Sequence, residues 1–143
     1  IKSYLDYGAF TPIQVAAASA LSSDPATIEK VREVYKKRRD VLVDAMGKAG
    51  WNIASPEATM FAWAEIPDKF KPLGSLEFSK VLLKEADISV APGIGFGEYG
   101  ENFVRIGLVE NEHRIRQAAR NVKSVFNKAD KILSGYNLDQ MDV

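Results

Sequence analysis

At 143 residues the chain has the length of one ordinary domain, or of a small domain with an attached arm, and 46% hydrophobic with 27% charged residues describes a globular protein rather than a disordered or collagen-like one. Lys plus Arg and Asp plus Glu both total 19, so the basic excess expected of a nucleic-acid binder is missing. Cys is absent and His113 is the single histidine, which excludes a disulfide framework, a thiol nucleophile and a thiolate or multi-histidine metal site. Thr11-Pro12-Ile13-Gln14 predicts a helix start, with Thr11 as N-cap, Pro12 in the first turn and Gln14 closing a capping box. The helix behind it is short and small-sided (Val15, Ala16, Ala17, Ala18, Ala20, Leu21), a surface suited to close packing on another element. Asp24-Pro25 repeats the start signal, and a long helix should run from about Pro25 to Ala49 with Gly50 as C-cap. Ile28, Val31, Tyr35, Leu42, Ala45 and Ala49 trace one face of it. At 1.5 Å per residue it is roughly 35 Å long, a full domain diameter.

After Gly50 the period changes. Trp51-Asn52-Ile53-Ala54 is a short strand candidate, and Thr59 to Ile66 a stronger one ended by Pro67. Residues 67–74 read as a loop, after which Ser75 caps a helix carrying Phe78, Val81 and Leu82. Ile88-Ser89-Val90-Ala91 is a third strand, Pro92 to Gly100 a glycine-rich loop, and Phe103 to Val109 a fourth strand. Asn111 caps a last long helix whose stripe is Ile115, Ala118, Val122, Val125, Ala129 and Leu133. The tail from Gly135 has no periodicity and should fray. These parts predict an α+β fold: a helical arm, then a small mixed or antiparallel sheet covered by helices. No run approaches the ~20 apolar residues that span a bilayer.

Alternation in Phe103-Val104-Arg105-Ile106-Gly107-Leu108-Val109 puts Val104, Ile106 and Leu108 on one face and Arg105 on the other, beside side-chain-free Gly107. A guanidinium there has room for a planar fork-to-fork bond with a carboxylate or phosphate. An exposed or salt-bridged strand Arg is the commoner arrangement of this pattern. Gly93-x-Gly95-x-Gly97 suggests a phosphate loop, but a strand follows it where a helix N-terminus is needed, so a turn is the better reading. His113, among Glu110, Glu112 and Arg114, is read as part of a solvated helix start rather than a general base. Lys36-Lys37-Arg38-Arg39 reads as a solvated face, and Trp51, Phe61 and Trp63 as core, with Phe61 and Trp63 on one strand face, placed to line one side of a cavity.

Six segments together resemble a known family. Pro92 to Gly97, Phe103 to Leu108 and Glu110 to Ala118, with Gly74 to Ser79, Ala58 to Trp63 and Tyr4 to Gln14, are similar to the C-terminal part of class I pyridoxal-phosphate aminotransferases, nearest to the bacterial glutamate–pyruvate (alanine) branch. The resemblance implies fold type I architecture and an intact homodimeric enzyme moving an amino group between an amino acid and a 2-oxo acid through pyridoxal 5'-phosphate. It implies that Arg105 grips the substrate carboxylate, that Phe61 borders the substrate, and that Tyr7 and Thr11 lie on a segment reaching the neighbouring subunit's cofactor phosphate. It also implies the division: residues 1–24 a remnant of the large domain and dimer interface, 25–50 the connecting helix, 51–134 the small domain, 135–143 a tail.

The family's Schiff-base lysine sits in a Ser-Lys motif followed by Gly-Trp-Arg, and the sequence holds no Ser-Lys with Gly-Trp-Arg after it; Lys2-Ser3 is not that motif. With the start at Ile1 lacking Met, the expectation is a piece of a longer protein, inactive alone, binding no pyridoxal phosphate and no metal, and self-associating through apolar faces that have lost their cover. A cytoplasmic location is expected from the lack of a signal peptide and of Cys. The alternative is a self-standing α+β binding or dimerisation module.

Overall fold

The computed structural model describes residues 8–136, which divide into two compact units between Val34 and Tyr35. In the first, helix α1 spans Thr11–Leu21. Its N-cap is Phe10, not Thr11, because the Phe10 carbonyl already accepts the Ile13 and Gln14 N–H groups that a Thr11 cap would have engaged. Gln14 Nε2 donates to the Ala9 carbonyl at 2.5 Å instead of closing a capping box. No residue of α1 is buried, so the described residues do not supply the surface its small side chains suit.

Helix α2, Pro25–Lys48, begins at the predicted Asp24, whose Oδ1 accepts the Ala26 N–H at 2.9 Å. Its apolar face changes character along its length. Ile28, Val31 and Val34 are exposed, whereas Leu42, Met46 and Ala49 are buried in the core of the second unit. The end closes as a Schellman motif, with Trp51 N–H donating to Met46 O at 2.9 Å and Gly50 N–H to Gly47 O at 3.0 Å. The basic run on α2 is not simply solvated. Arg38 Nη1 donates to the Leu108 carbonyl at 3.2 Å and Arg39 Nη1 to the Pro56 carbonyl at 3.3 Å, so both fasten the helix to the α+β unit.

The sheet has three antiparallel strands in the order β1-β3-β2: β1 Phe61–Glu65, β2 Ala91–Pro92 and β3 Phe103–Gly107. Alternation sends Ala62, Ala64 and Val104 to a fully buried face, against which helix α3 (Gly74–Ala86) packs; α4 (Glu112–Asn127) packs in turn on α3. Behind the sheet the rings of Trp51, Phe70, Phe78 and Phe126 form a cluster with centroid separations between 5.3 and 5.9 Å.

Several expected elements shift. Residues 51–54 form no strand; Trp51 and Ile53 are buried, and Trp51 Nε1 donates to the Glu65 carbonyl at 2.8 Å, so the alternation records burial without a ladder. β1 starts at Phe61 because Thr59 turns the chain at φ +75° and its Oγ1 accepts the Phe61 N–H. The expected strand 88–91 shrinks to Ala91–Pro92, since Asp87 is left-handed and Ile88 N–H bonds back to Leu82 O, serving the helix end. A 3-10 helix, Asp68–Leu73, occupies the expected loop. The last stripe breaks at Lys128 into α4 and the short α5, Ala129–Leu133.

Asn111 caps α4 as expected, its Oδ1 accepting from the His113 and Arg114 N–H groups at 3.1 and 3.0 Å. Asn111→Ala is expected to destabilise the chain by about 1 kcal/mol in urea unfolding, and Asn111→Ser to restore most of it. Among the described residues no helix is long and apolar enough to cross a membrane, and no cluster of three His, Asp or Glu side chains could hold a metal.

Candidate substrate-anion site

Arg105 lies in the middle of β3, between Trp63 of β1 and Ala91 of β2 in register. Directly paired antiparallel residues share a face, so Phe61, Trp63, Phe103, Arg105 and Gly107 all stand on the side of the sheet away from the buried Ala62 and Val104. Trp63, read from sequence as core, is therefore 43% exposed, and Phe61 is half-buried.

The guanidinium is held between two rings. Arg105 Cζ stands 4.2 Å from the Phe61 centroid and 4.4 Å from that of Phe96. Trp63 braces Phe96 edge-to-face at 5.2 Å and meets Phe103 at 6.4 Å. Among the described residues Arg105 has no ion pair and no side-chain hydrogen bond. That differs from both ordinary strand-Arg arrangements, the salt-bridged and the freely solvated. Stacking on two π faces orients the plane, each contact worth about 0.5–2 kcal/mol, and leaves the in-plane N–H fork for a ligand. The chemistry that fits is a planar anion accepting two parallel hydrogen bonds. Arg105 and Phe61 line a cleft of about 880 Å³ together with Asp87–Ala91 and, from α4, Arg114 and Gln117.

Phe96 comes from the glycine-rich loop, built of two 3-10 turns, Gly93–Phe96 and Glu98–Gly100. Three of its N–H groups are already engaged: Gly97 donates to Ile94 O, Gly100 to Gly97 O, and Ile94 to Ser75 Oγ. At its base Gly93 and Gly100 touch so closely that a Cβ on Gly93 would overlap the Gly100 carbonyl and stand 2.5 Å from the Phe103 carbonyl. Gly93→Ala is expected to open the loop, lowering the thermal midpoint by several degrees, whereas Gly95→Ala, where a Cβ meets nothing within 4 Å, should leave it nearly unchanged.

The structure thus brings Arg105 and Phe61 together and adds Phe96 and Trp63, which sequence reasoning did not place at the site. Tyr7 lies outside the described residues, and Thr11 is an exposed first-turn residue of the other unit. His113 is exposed at the start of α4. Ser75, expected to cap α3, is its second residue instead, and the cap comes from Glu101, whose carboxylate accepts the Ser75 N–H and Oγ–H, each at 2.9 Å. With the two 26 positions apart, no local signal marks that pair.

Residues 4–122 match the family described as aminotransferase class I and II. The chain belongs to this family. It is 64% identical to the putative aminotransferase AatC of Rhizobium meliloti and 53% identical to the glutamate-pyruvate aminotransferase AlaC of Escherichia coli, in each case over 93% of its own length. It spans about a third of these curated relatives, 33% and 32%. Its fold is similar to that of substrate-bound BacF from Bacillus subtilis (TM-score 0.74, 36% identity, covering 82% of this chain and 30% of that one). It is also similar to an aminotransferase from Staphylococcus aureus (TM-score 0.74, 30% identity, 86% and 32%). The α+β unit is thus a C-terminal portion of the type I architecture. Of the two readings left by the sequence, membership selects the aminotransferase one.

The family works through pyridoxal 5'-phosphate. A site for it needs a lysine amine to carry the Schiff base. No lysine lines the cleft at Arg105, so that cleft does not by itself fit the cofactor. The chemistry at Arg105 suits a planar anion such as a carboxylate.

Proposed function

We propose that this chain is the substrate-carboxylate half of an aminotransferase of the glutamate–pyruvate type. In the full-length protein Arg105 binds the α-carboxylate of the amino acid and of the 2-oxo acid, and Phe61 borders the substrate. One observation carries the reading: a guanidinium against Phe61 and Phe96 whose fork has no partner among the described residues. The donor assignment is supported by 53% identity to AlaC against 35–40% to LL-diaminopimelate aminotransferases such as those of Moorella thermoacetica and Halothermothrix orenii. Residues 1–24 belong to the large domain and dimer interface, with Tyr7 and Thr11 toward the neighbouring subunit's cofactor phosphate; 25–50 connect, and 51–134 form the small domain. The full-length enzyme is a cytoplasmic homodimer.

The test compares pyruvate release from L-alanine and 2-oxoglutarate with turnover of LL-diaminopimelate by the full-length protein. L-alanine is expected to be the better donor by at least about tenfold in kcat/KM, a difference of 1.4 kcal/mol at the transition state. Preference for diaminopimelate contradicts the donor assignment. The 143 residues alone are expected to release no pyruvate above background. By light scattering they are expected to self-associate, since Phe10, Ile13, Val15 and Leu21 are between 63% and 90% exposed. A monodisperse monomer at 100 μM or so would count against that part.

A further inference from the structure

We propose that Glu101 and Ser75 are positioning residues for the Arg105 grip, acting through the glycine loop on Phe96; the proposal rests on the reading of Arg105 as the carboxylate anchor. Glu101 Oε1 accepts the Ser75 N–H at 2.9 Å, and Oε2 accepts the Ser75 Oγ–H at 2.9 Å. The same Ser75 oxygen accepts the Ile94 N–H at 3.1 Å. Ser75 is fully buried, and its hydroxyl donates to the carboxylate while accepting from the loop, so one relay joins the start of α3, the start of the loop and the chain entering β3. A carboxylate at a helix N-terminus is favoured by the first-turn donors and the helix dipole. The chain is shaped to admit it: a Cβ on Gly74 would overlap Glu101 Oε1.

The relay reaches Arg105 in two steps. Ile94, fixed by Ser75, is bridged to Gly97 by the Gly97 N–H···O bond at 3.0 Å, and Phe96 lies inside that turn. Phe96 is 50% exposed, so its ring is set by the loop backbone and the edge-to-face contact with Trp63 rather than by core packing. That ring forms one of the two walls of the guanidinium slot and is the wall that carries no sheet hydrogen bond. Loss of the relay frees the wall while leaving Arg105 on its strand.

The experiment is steady-state kinetics of the full-length protein with L-alanine and 2-oxoglutarate, alongside melting curves. Glu101→Ala and Ser75→Ala are expected to raise KM for both substrates about 5- to 20-fold with kcat changed less than about threefold. Glu101→Gln, which keeps an oxygen for the Ser75 N–H, should hold KM within about threefold of the native value. Phe96→Ala should raise KM by a similar factor, and adding Glu101→Ala to it should change KM by less than about twofold, because both act through one wall. A full additive effect in the Phe96→Ala background, or lowered melting with KM unchanged in both Glu101→Ala and Ser75→Ala, overturns the proposal. Ser75→Ala removes only one oxygen and serves where Glu101→Ala does not fold. Arg105→Ala separates the two levels: if it raises KM while the relay variants do not, positioning alone fails, and if it does not, the anchor reading fails and the proposal with it.

Discussion

Arg105→Ala in the full-length protein is expected to lower kcat/KM for L-alanine and 2-oxoglutarate by some 30-fold to several thousand-fold. The range follows from the ~2–5 kcal/mol lost when one partner of a desolvated, hydrogen-bonded charge pair is truncated. The geometry places the effect at the upper part of that range, because the guanidinium is already oriented by Phe61 and Phe96 at 4.2 and 4.4 Å and loses little freedom on binding. Arg105→Lys keeps the charge but loses the fork and the flat stacking surface, so an intermediate loss is expected rather than rescue. A primary amine without a carboxylate supplies the internal control. Native and Arg105→Ala proteins should turn it over equally slowly, since the interaction removed does not exist for that donor.

The second large effect is on stability. Phe78 is fully buried, meets Trp51 edge-on at 5.6 Å and Phe70 at 5.4 Å, and sits on the face of α3 turned to the sheet. Phe78→Ala is expected to cost about 3–5 kcal/mol in urea unfolding of the chain, the transfer loss of a ring plus the cavity it leaves. Against a total stability of about 5–15 kcal/mol, that removes much of what holds a domain of this size. Trp63→Ala supplies the contrast. It deletes a larger ring from the open face, 43% exposed, and should cost under about 1 kcal/mol in the same measurement. Equal costs for the two would mean that the open face of the sheet is core, contrary to the register.

Much of the fold was legible because it rests on local physics. The Asp24 and Asn111 caps, the closure of α2 at Gly50 and the alternation that turns Arg105 away from Val104 are each decided within a few residues. What stayed hidden depends on contacts distant in sequence. Residues 51–54 alternate like a strand because two side chains are buried, while Trp51 spends its indole N–H on Glu65 instead of joining a ladder. Arg38 and Arg39 look solvated on a helical wheel and are instead fastened to carbonyls at 108 and 56. At the site, the sequence offered Arg105 and its open neighbour Gly107, but not the ring of Phe96, which a loop carries back across the sheet. Neither did it offer the cap of α3, since Glu101 follows Ser75 by 26 residues. The cofactor side was legible only through the resemblance and its departures, since no Ser-Lys followed by Gly-Trp-Arg marks a position in this chain.

A structure of the full-length protein with a bound amino-acid substrate or a non-reactive analogue tests the central claim most directly. The expected result is the α-carboxylate lying in the plane of the Arg105 guanidinium, its two oxygens about 2.7–2.9 Å from two nitrogens of the fork, with Phe61 and Phe96 on either side. A carboxylate held by another cation, with Arg105 paired instead to an Asp or Glu of the protein, would contradict it.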